Sequence, residues 1–304
     1  MASPFHAGER AVQDRAGVRH MADKVGNGIR PAFPAGAAEA LAELRLAIVA
    51  AADLEGRLWA SPLSGPPGFL DVGPDGLLHV ATTVAPDDPL AARLAHGGPV
   101  GLVVFDPANR RRLRVNGDAM PASGGLRVRP RQVYGNCPRY IQRRVPLHDA
   151  TGADAVPGPV AAGATLTPEQ AARLARTDTF FVATLHADAG PDASHRGGTP
   201  GFVRVRADGG ALAWPDYAGN AMFQTLGNLA VDPRAGLLVL DFERGDVLQL
   251  SGTARADWDA ARADTVPGAE RMVDFDVAAV RERAAAVPLR WRRLDASPHN
   301  PPAA

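Results

Sequence analysis

Five adjacent residues, Ser194-His195-Arg196-Gly197-Gly198, place a hydroxyl, an imidazole, a guanidinium fork and two unhindered backbone N–H groups in one short stretch. Arginine grips phosphate through paired N–H donors and glycine lets the main chain come close, so the stretch has the make-up of an anion receptor. A solvated surface hairpin has the same make-up. A second cluster, Asp216-Tyr217-Ala218-Gly219-Asn220, precedes a segment, 221–229, that contains Phe223, Thr225 and Asn228 and reads as a helix. Its tyrosine and amides are therefore expected at a helix N-terminus, where anions are favoured. Cys137 lies between Tyr134 and Tyr140 and is either a redox or substrate contact or a small buried hydrophobe. No Ser/His/Asp order, phosphate-loop signature or metal-spaced His/Cys set stands out.

The elements that must position these residues come in two copies. Leu58-Trp59-Ala60-Ser61 matches Phe181-Val182-Ala183-Thr184, Pro67-Gly68-Phe69 matches Pro200-Gly201-Phe202, and Leu113-Arg114-Val115-Asn116-Gly117 matches Leu248-Gln249-Leu250-Ser251-Gly252. On this alignment Ala60 to Gly68 is eight residues and Ala183 to Gly201 eighteen, so the second copy carries a ten-residue polar insert holding Ser194 to Gly198. The first copy has Pro86-Asp87-Asp88-Pro89 where the second has its Asp216–Asn220 cluster, which excludes a phosphate there.

Each copy is expected to open with a helix. In the first, 37–52 has Leu41, Leu44 and Ile48 at helical intervals; in the second, Thr167-Pro168-Glu169-Gln170 is a capping start signal. Short β-like runs follow at 57–61, 68–72, 77–82, 100–105 and 112–117, with hairpin turns at Gly73-Pro74-Asp75-Gly76 and Ala207-Asp208-Gly209-Gly210. A second short helix is expected at 89–95, equivalent to 221–229. This pattern suits a small antiparallel barrel better than a parallel α/β sheet. The divisions are an N-terminal arm (1–35), a first barrel with a connecting motif (36–149), a linker (150–163), a second barrel (164–297) and a disordered tail (298–304). Within the arm, His6, Glu9 and Gln13 read as a surface tether or as residues crossing the site.

The 304 residues suffice for two domains with cores of their own. Zero net charge argues against an electrostatic hold on nucleic acid or anionic lipid. A single cysteine excludes an intrachain disulfide and a multi-thiolate metal site, so no metal is expected. Neither a signal peptide nor a membrane-length apolar run is found, and the expected location is the cytoplasm.

Taken together, Ser194 to Gly198, Pro215 to Asn220, Thr225-Leu226-Gly227-Asn228-Leu229, Asp241-Phe242-Glu243-Arg244-Gly245 and Tyr134 to Gln142 resemble the pyridoxamine 5'-phosphate oxidase-like, FMN-binding split-barrel family, in its long bacterial subgroup. The resemblance spans about residues 5–295. It implies a mostly β (α+β) chain of two tandem six-stranded antiparallel split barrels paired as a pseudo-dimer, with homodimerisation as a further possibility. It also implies FMN held by the second copy through Ser194, His195, Arg196, Gly197, Asp216, Tyr217, Asn220, Thr225 and Asn228. Arg139 and Gln142 would close the site from the first copy, with Cys137 near the cofactor or substrate, while Arg114 is expected to play no part. The implied activity is an FMN-dependent oxidoreductase moving electrons between a reduced nicotinamide cofactor or partner reductase and a small molecule. The alternative is a non-catalytic flavin- or haem-binding module. The sequence at Arg290-Trp291-Arg292-Arg293-Leu294 lacks the substrate-phosphate signature of true pyridoxamine 5'-phosphate oxidases, which argues against vitamin B6 oxidation.

Overall fold

The computed structural model describes residues 3–147 and 156–302. The arm forms two helices, α1 (Ala7–Arg15) and α2 (Arg19–Gly26). The first half then runs α3 (Ala37–Ala42), β1 (Leu46–Ala52), β2 (Leu58–Ser64), β3 (Leu70–Val72), β4 (Leu78–Val80), α4 (Ala91–His96), β5 (Gly98–Asp106), β6 (Arg111–Ala122) and β7 (Gly125–Gly135). A connecting stretch carries β8 (Arg143–Pro146) and β9 (Ala161–Gly163). The second half repeats the order as α5 (Pro168–Arg176), β10 (Thr179–His186), β11 (Gly190–Gly197), β12 (Arg204–Val205), β13 (Ala211–Tyr217), α6 (Gln224–Leu229), β14 (Arg234–Leu240), β15 (Val247–Asp257), α7 (Ala260–Ala263) and β16 (Ala269–Arg283). Finally β17 (Trp291–Asp295) pairs with β8.

The two sheets have the same path, β2-β1-β5-β6-β7-β4-β3 and β11-β10-β14-β15-β16-β13-β12, all antiparallel. This is the expected pair of tandem split barrels, with seven strands on each path where six were expected. Strand register fixes how the halves correspond. Ala50 faces both Gly101 and Ala60, while Ala183 faces Gly236 and Ala193. Ala60 is therefore equivalent to Ala193, not to Ala183 as the sequence match had it. From Ala50 to Gly68 and from Ala183 to Gly201 the distance is eighteen residues in both halves, so the polar stretch is not an insert. It is the strand β11 itself, in which Ser194-His195-Arg196-Gly197 stands where β2 has Ser61-Pro62-Leu63-Ser64.

The misalignment has a physical cause in β1. Ala47, Val49 and Ala51 enter the core of the first barrel, while Leu46, Ile48 and Ala50 enter a second core shared with Phe181, Ala183, Leu238 and Leu240 of the other half. A strand buried on both faces reads as a continuous apolar run and loses its period of two. The helix expected over 37–52 accordingly stops at Ala42 and gives way to this strand. At α5 the start signal reads correctly, because Thr167 and Gln170 form a reciprocal capping box.

The shared core joins the halves about a pseudo-twofold axis. A Cβ on Gly101 would stand 2.5 Å from Pro191 O and 2.6 Å from Asp192 Cα; one on the equivalent Gly236 would stand 2.6 Å from Leu58 O and 2.8 Å from Trp59 Cα. Each glycine lets the other half's hairpin strand lie directly on it. The arm also docks firmly: Val12 enters the second barrel's core, Glu9 and Gln13 are buried, and Gln13 Nε2 donates to Met222 O at 2.9 Å. A surface tether is therefore ruled out for α1. The expected linker lies partly outside the described residues, and its last three residues form β9 against β16. Residues 298–302, expected to be disordered, pack back on the body, with Thr199 Oγ1 donating to Pro301 O at 2.6 Å. Gly101→Val should lower stability by about 1–3 kcal/mol through overpacking at the axis, read from chemical denaturation; an unchanged midpoint would contradict this packing.

Candidate functional site: an anion pocket between the halves

Strand β6 of the first half lies across β11 of the second. Arg112, Arg114 and Asn116, two residues apart on one face of β6, point towards Asp192, Ser194 and His195. Arg114 Nη1 donates to Asp192 Oδ2 at 2.5 Å and Arg114 Nη2 donates to Ser194 Oγ, with both residues of the ion pair buried. Tyr134 Oη at 3.3 Å and Asn116 Nδ2 at 3.2 Å complete the donors to Asp192. Burial works against the Arg114 charge, but the Asp192 carboxylate beside it more than compensates and holds the guanidinium protonated.

In front of this pair lies a cavity of about 110 Å³ whose walls include Arg112, Cys137, Arg139, Tyr140, His195, Arg196, Gly197, Asp216, Tyr217, Asn220 and Thr225. Burial drives the His195 pKa well below its usual value, and Arg112 and Arg196 add to the effect. The ring is therefore neutral. Arg112 Nη1 lies 2.9 Å from His195 Nδ1 and can only donate, which leaves the imidazole proton on Nε2. That Nε2–H is buried and has no acceptor. Arg112 Nε and Arg196 Nε, also buried, lack acceptors as well. With Arg114 Nε, that makes four unmatched donors on residues around one cavity, which call for an acceptor that the protein does not supply.

The balance of charge agrees. Burial lowers the Arg112 pKa to about 9, and the neighbouring cations Arg114 and Arg196 push the same way. The Arg196 pKa is also lowered, by burial first, although Asp216 opposes the shift. Asp216 is itself raised by burial against the pull of Arg196 and Arg271. Arg271 holds Asp216 at an ion-pair distance of 3.3 Å and is stacked between Phe223 and Trp258, 4.9 and 4.7 Å from their ring centres. An anion would relieve the mutual repulsion of the arginines. Three wall residues, Tyr140, Ala221 and Phe223, have φ values of 65°, 62° and 60°, a left-handed conformation costly for side chains with a Cβ. Strain of this kind gathers where the backbone is bent to shape a site.

Most of the expected site residues therefore meet, but several in altered roles. Asp216 and Tyr217 end strand β13, and α6 begins only at Gln224, so neither sits at a helix N-terminus. The Ser194 hydroxyl is fully engaged by Arg114, Asp192 and, at 2.8 Å, Thr225 Oγ1, and backs the pocket without opening into it. Asn220 is tied to Asn136 at 2.8 Å, and Arg139 and Tyr140 reach across to Ala218 O. Two residues fall outside. Gln142 is a buried knot between Ser297, Asn300 and Gly198, and Asn228 links Thr184 to His6 of the arm at 2.9 and 2.8 Å. Arg114 is the reverse case: expected to be uninvolved, it braces the pocket. Its signal was in the sequence, since Arg112, Arg114 and Asn116 answer to Val247, Gln249 and Ser251, a polar face with extra cations in the first half only.

The pseudo-symmetry supplies an internal comparison. The equivalent cavity, of about 270 Å³, has Pro62, Val247 and Gln249 where the anion pocket has His195, Arg112 and Arg114, and adds Asp87 and Asp88. Asp88 is held by Ser61 and Gln249, and Asp87 by Arg283 at 2.5 Å, so its polar groups satisfy one another. Only the pocket assembled from β11 and β6 has an anion's complement.

A split barrel with a cationic pocket between paired halves defines the class of protein. Residues 166–294 match the family profile described as Pyridoxamine 5'-phosphate oxidase. The match is confined to the second half of the chain, which resembles that family. No curated protein matches the chain. Solved structures similar to it include HupZ of Group A Streptococcus (16% identity, TM-score 0.31, covering 37% of this chain and 90% of that one). Others are a FAD-binding protein of Mesorhizobium loti (13%, TM-score 0.29, 41% and 98%) and General Stress Protein 26 of Bacillus anthracis (12%, TM-score 0.28, 41% and 97%). Among the described residues no helix is long and apolar enough to cross a membrane, and no group of three or more His, Cys, Asp or Glu is placed to hold a metal.

Two predictions follow from the buried charges. Arg114→Ala leaves Asp192 buried without its cation and should cost about 3–5 kcal/mol in denaturant unfolding; a loss below about 1 kcal/mol would mean that the pair is dispensable. Burial also pushes the Glu9 carboxyl up to about 8 from its ordinary 4.5, with Asp192 adding to the rise and His6 N–H opposing it. Since the folded pKa is the higher one, the stability is complete below about 4.5 and is lost as pH climbs to about 8. Glu9→Gln should flatten that fall in thermal melts between about pH 5 and about pH 9; an unchanged slope would remove Glu9 as its source.

Proposed function

We propose that the pocket receives the phosphate end of FMN and that the protein is an FMN-dependent oxidoreductase, exchanging electrons between a reduced nicotinamide cofactor or a partner reductase and a small molecule. The observation that carries this reading is the set of unmatched buried donors, His195 Nε2, Arg112 Nε, Arg114 Nε and Arg196 Nε, around a cavity of phosphate size. The fit concerns the anionic end: about 110 Å³ is well below the ~300 Å³ at which whole-ligand pockets begin, so only a head group enters the enclosed part. When bound, a flavin supplies the hydride and electron transfer, and the protein supplies position and electrostatics.

The chain's own residues divide that work. Arg112 and Arg196 bind the anion, neutral His195 donates from Nε2, and the Arg114–Asp192 pair fixes the strand that presents them. Asp216, set by Arg271, restrains Arg196. Tyr217 and Tyr140, with ring centres 5.2 Å apart, form the aromatic margin of the pocket. The second reading, a non-catalytic flavin- or haem-binding module, draws on the same donors for a flavin, whereas ligation of haem iron by His195 would need a free lone pair on Nε2, which the Arg112 donation to Nδ1 opposes.

Arg196→Ala should weaken FMN uptake by about 10- to 100-fold in fluorescence titration, as expected for loss of a charge-assisted contact worth about 1.5–3 kcal/mol. Uptake unaffected by the substitution would place the flavin elsewhere. Turnover of reduced nicotinamide by the flavin-loaded protein separates the enzyme from the carrier.

A further inference from the structure

Beside the anion pocket lies a much larger chamber of about 890 Å³, lined by Leu44, Leu46, Leu113, Pro138, Pro146 and Trp291. Arg112 and Asn136 belong to the walls of both cavities and form the partition between them. The pseudo-twofold axis again gives a control. The equivalent hollow on the second half is lined by Arg173, Arg176, Asp178 and Phe242 and is polar. Phe242 follows Asp241 as Pro107 follows Asp106, each pair at the same distance beyond Gly236 and Gly101. The Phe242 ring packs edge-on against Trp291 at 5.4 Å and beneath Arg144 at 4.4 Å, filling the space that Pro107 leaves open. The apolar lining is thus specific to the side that adjoins Arg112, the second-half hollow being smaller, about 550 Å³, as well as polar.

Its size and lining are those of a small-molecule site, within the ~300–1,000 Å³ typical of such pockets and mostly apolar. Its charge is selective as well. Arg110 is engaged by Asp295 and Arg144 by Asp178, whereas Arg45, Arg111 and Arg112 have no ion-pair partner among the described residues. Of the acids on the lining, Glu39 and Glu43 are exposed on and just after α3, at the rim, and Asp106 accepts from Asn109 N and, at 3.0 Å, from Asn109 Nδ2.

We propose that this chamber holds the apolar body of a small aromatic or alkyl acid, the second ligand of the adjoining site, with its acidic end towards Arg45 and Arg111, the unpaired cations of the lining that the anion pocket does not use. The inference rests on the anion pocket being the cofactor's seat. The probe 8-anilinonaphthalene-1-sulfonate, an aromatic acid of suitable size, tests it with FMN uptake measured in parallel. The protein should bind the probe saturably, with energy transfer from tryptophan that Trp291→Phe diminishes. Pro107→Phe, which copies the second half, should weaken the probe by about tenfold or more and leave FMN uptake as it was. Ala40→Trp, a filling substitution at an exposed position of α3, should do the same and decides the matter if Pro107→Phe melts early. Probe affinity unchanged in a folded variant overturns the proposal. So does joint loss of probe and FMN, since the chamber would then be the cofactor's own seat. Probe binding that follows the two substitutions in a protein that takes up no FMN upholds the chamber and removes the flavin reading alone.

Discussion

The buried Arg114–Asp192 pair is the constraint on which the rest of the structure depends. It crosses from one half of the chain to the other, beside the apolar core that joins them. A buried ion pair contributes little over an apolar contact of the same volume, yet removing one partner is expensive. Its value here is in registry. Asp192 collects donors from Arg114, Asn116 and Tyr134, all from the first half, and thereby sets β11 so that His195 and Arg196 face Arg112.

From that registry follows a division of labour between near-identical folds. Both halves keep the glycine at the axis and the strand order of the sheet. They diverge where strands of one half cross the hairpin of the other. On one side the crossing brings together Arg112, His195 and Arg196; on the other it brings together Val247, Pro62 and Gln249. A duplication thus retains two barrels for stability and specialises one of the two crossings for binding. The arm adds to the specialised side only, its α1 lying on α6 with Glu9 buried and His6 bonded to Asn228.

Much of this was legible in the sequence, and the failures have separate physical causes. The hairpin turns and the capping box at Thr167 are local signals and read correctly, whereas the polar clusters at Ser194 and Asp216, read as an insert and a helix N-terminus, lie on β11 and at the end of β13. Strand β1 was read as helix because it is buried on both faces, which erases the alternation that marks a strand. That error displaced the alignment by one strand and turned a substituted strand into an apparent insert. Arg112, Arg114 and Asp192 went unassigned because their role exists only once the halves are apposed. Gln142 and Asn228 were placed in the pocket by the family resemblance, whereas each satisfies buried backbone or side-chain groups nearby.

The central claim is that the two halves form a single anion site per chain, at the crossing that carries Arg112 and Arg196. Calorimetric titration of the purified chain with FMN tests it most directly, because stoichiometry distinguishes one crossing from two. The account predicts saturation at one FMN per chain. Saturation at two, or no binding, would contradict it.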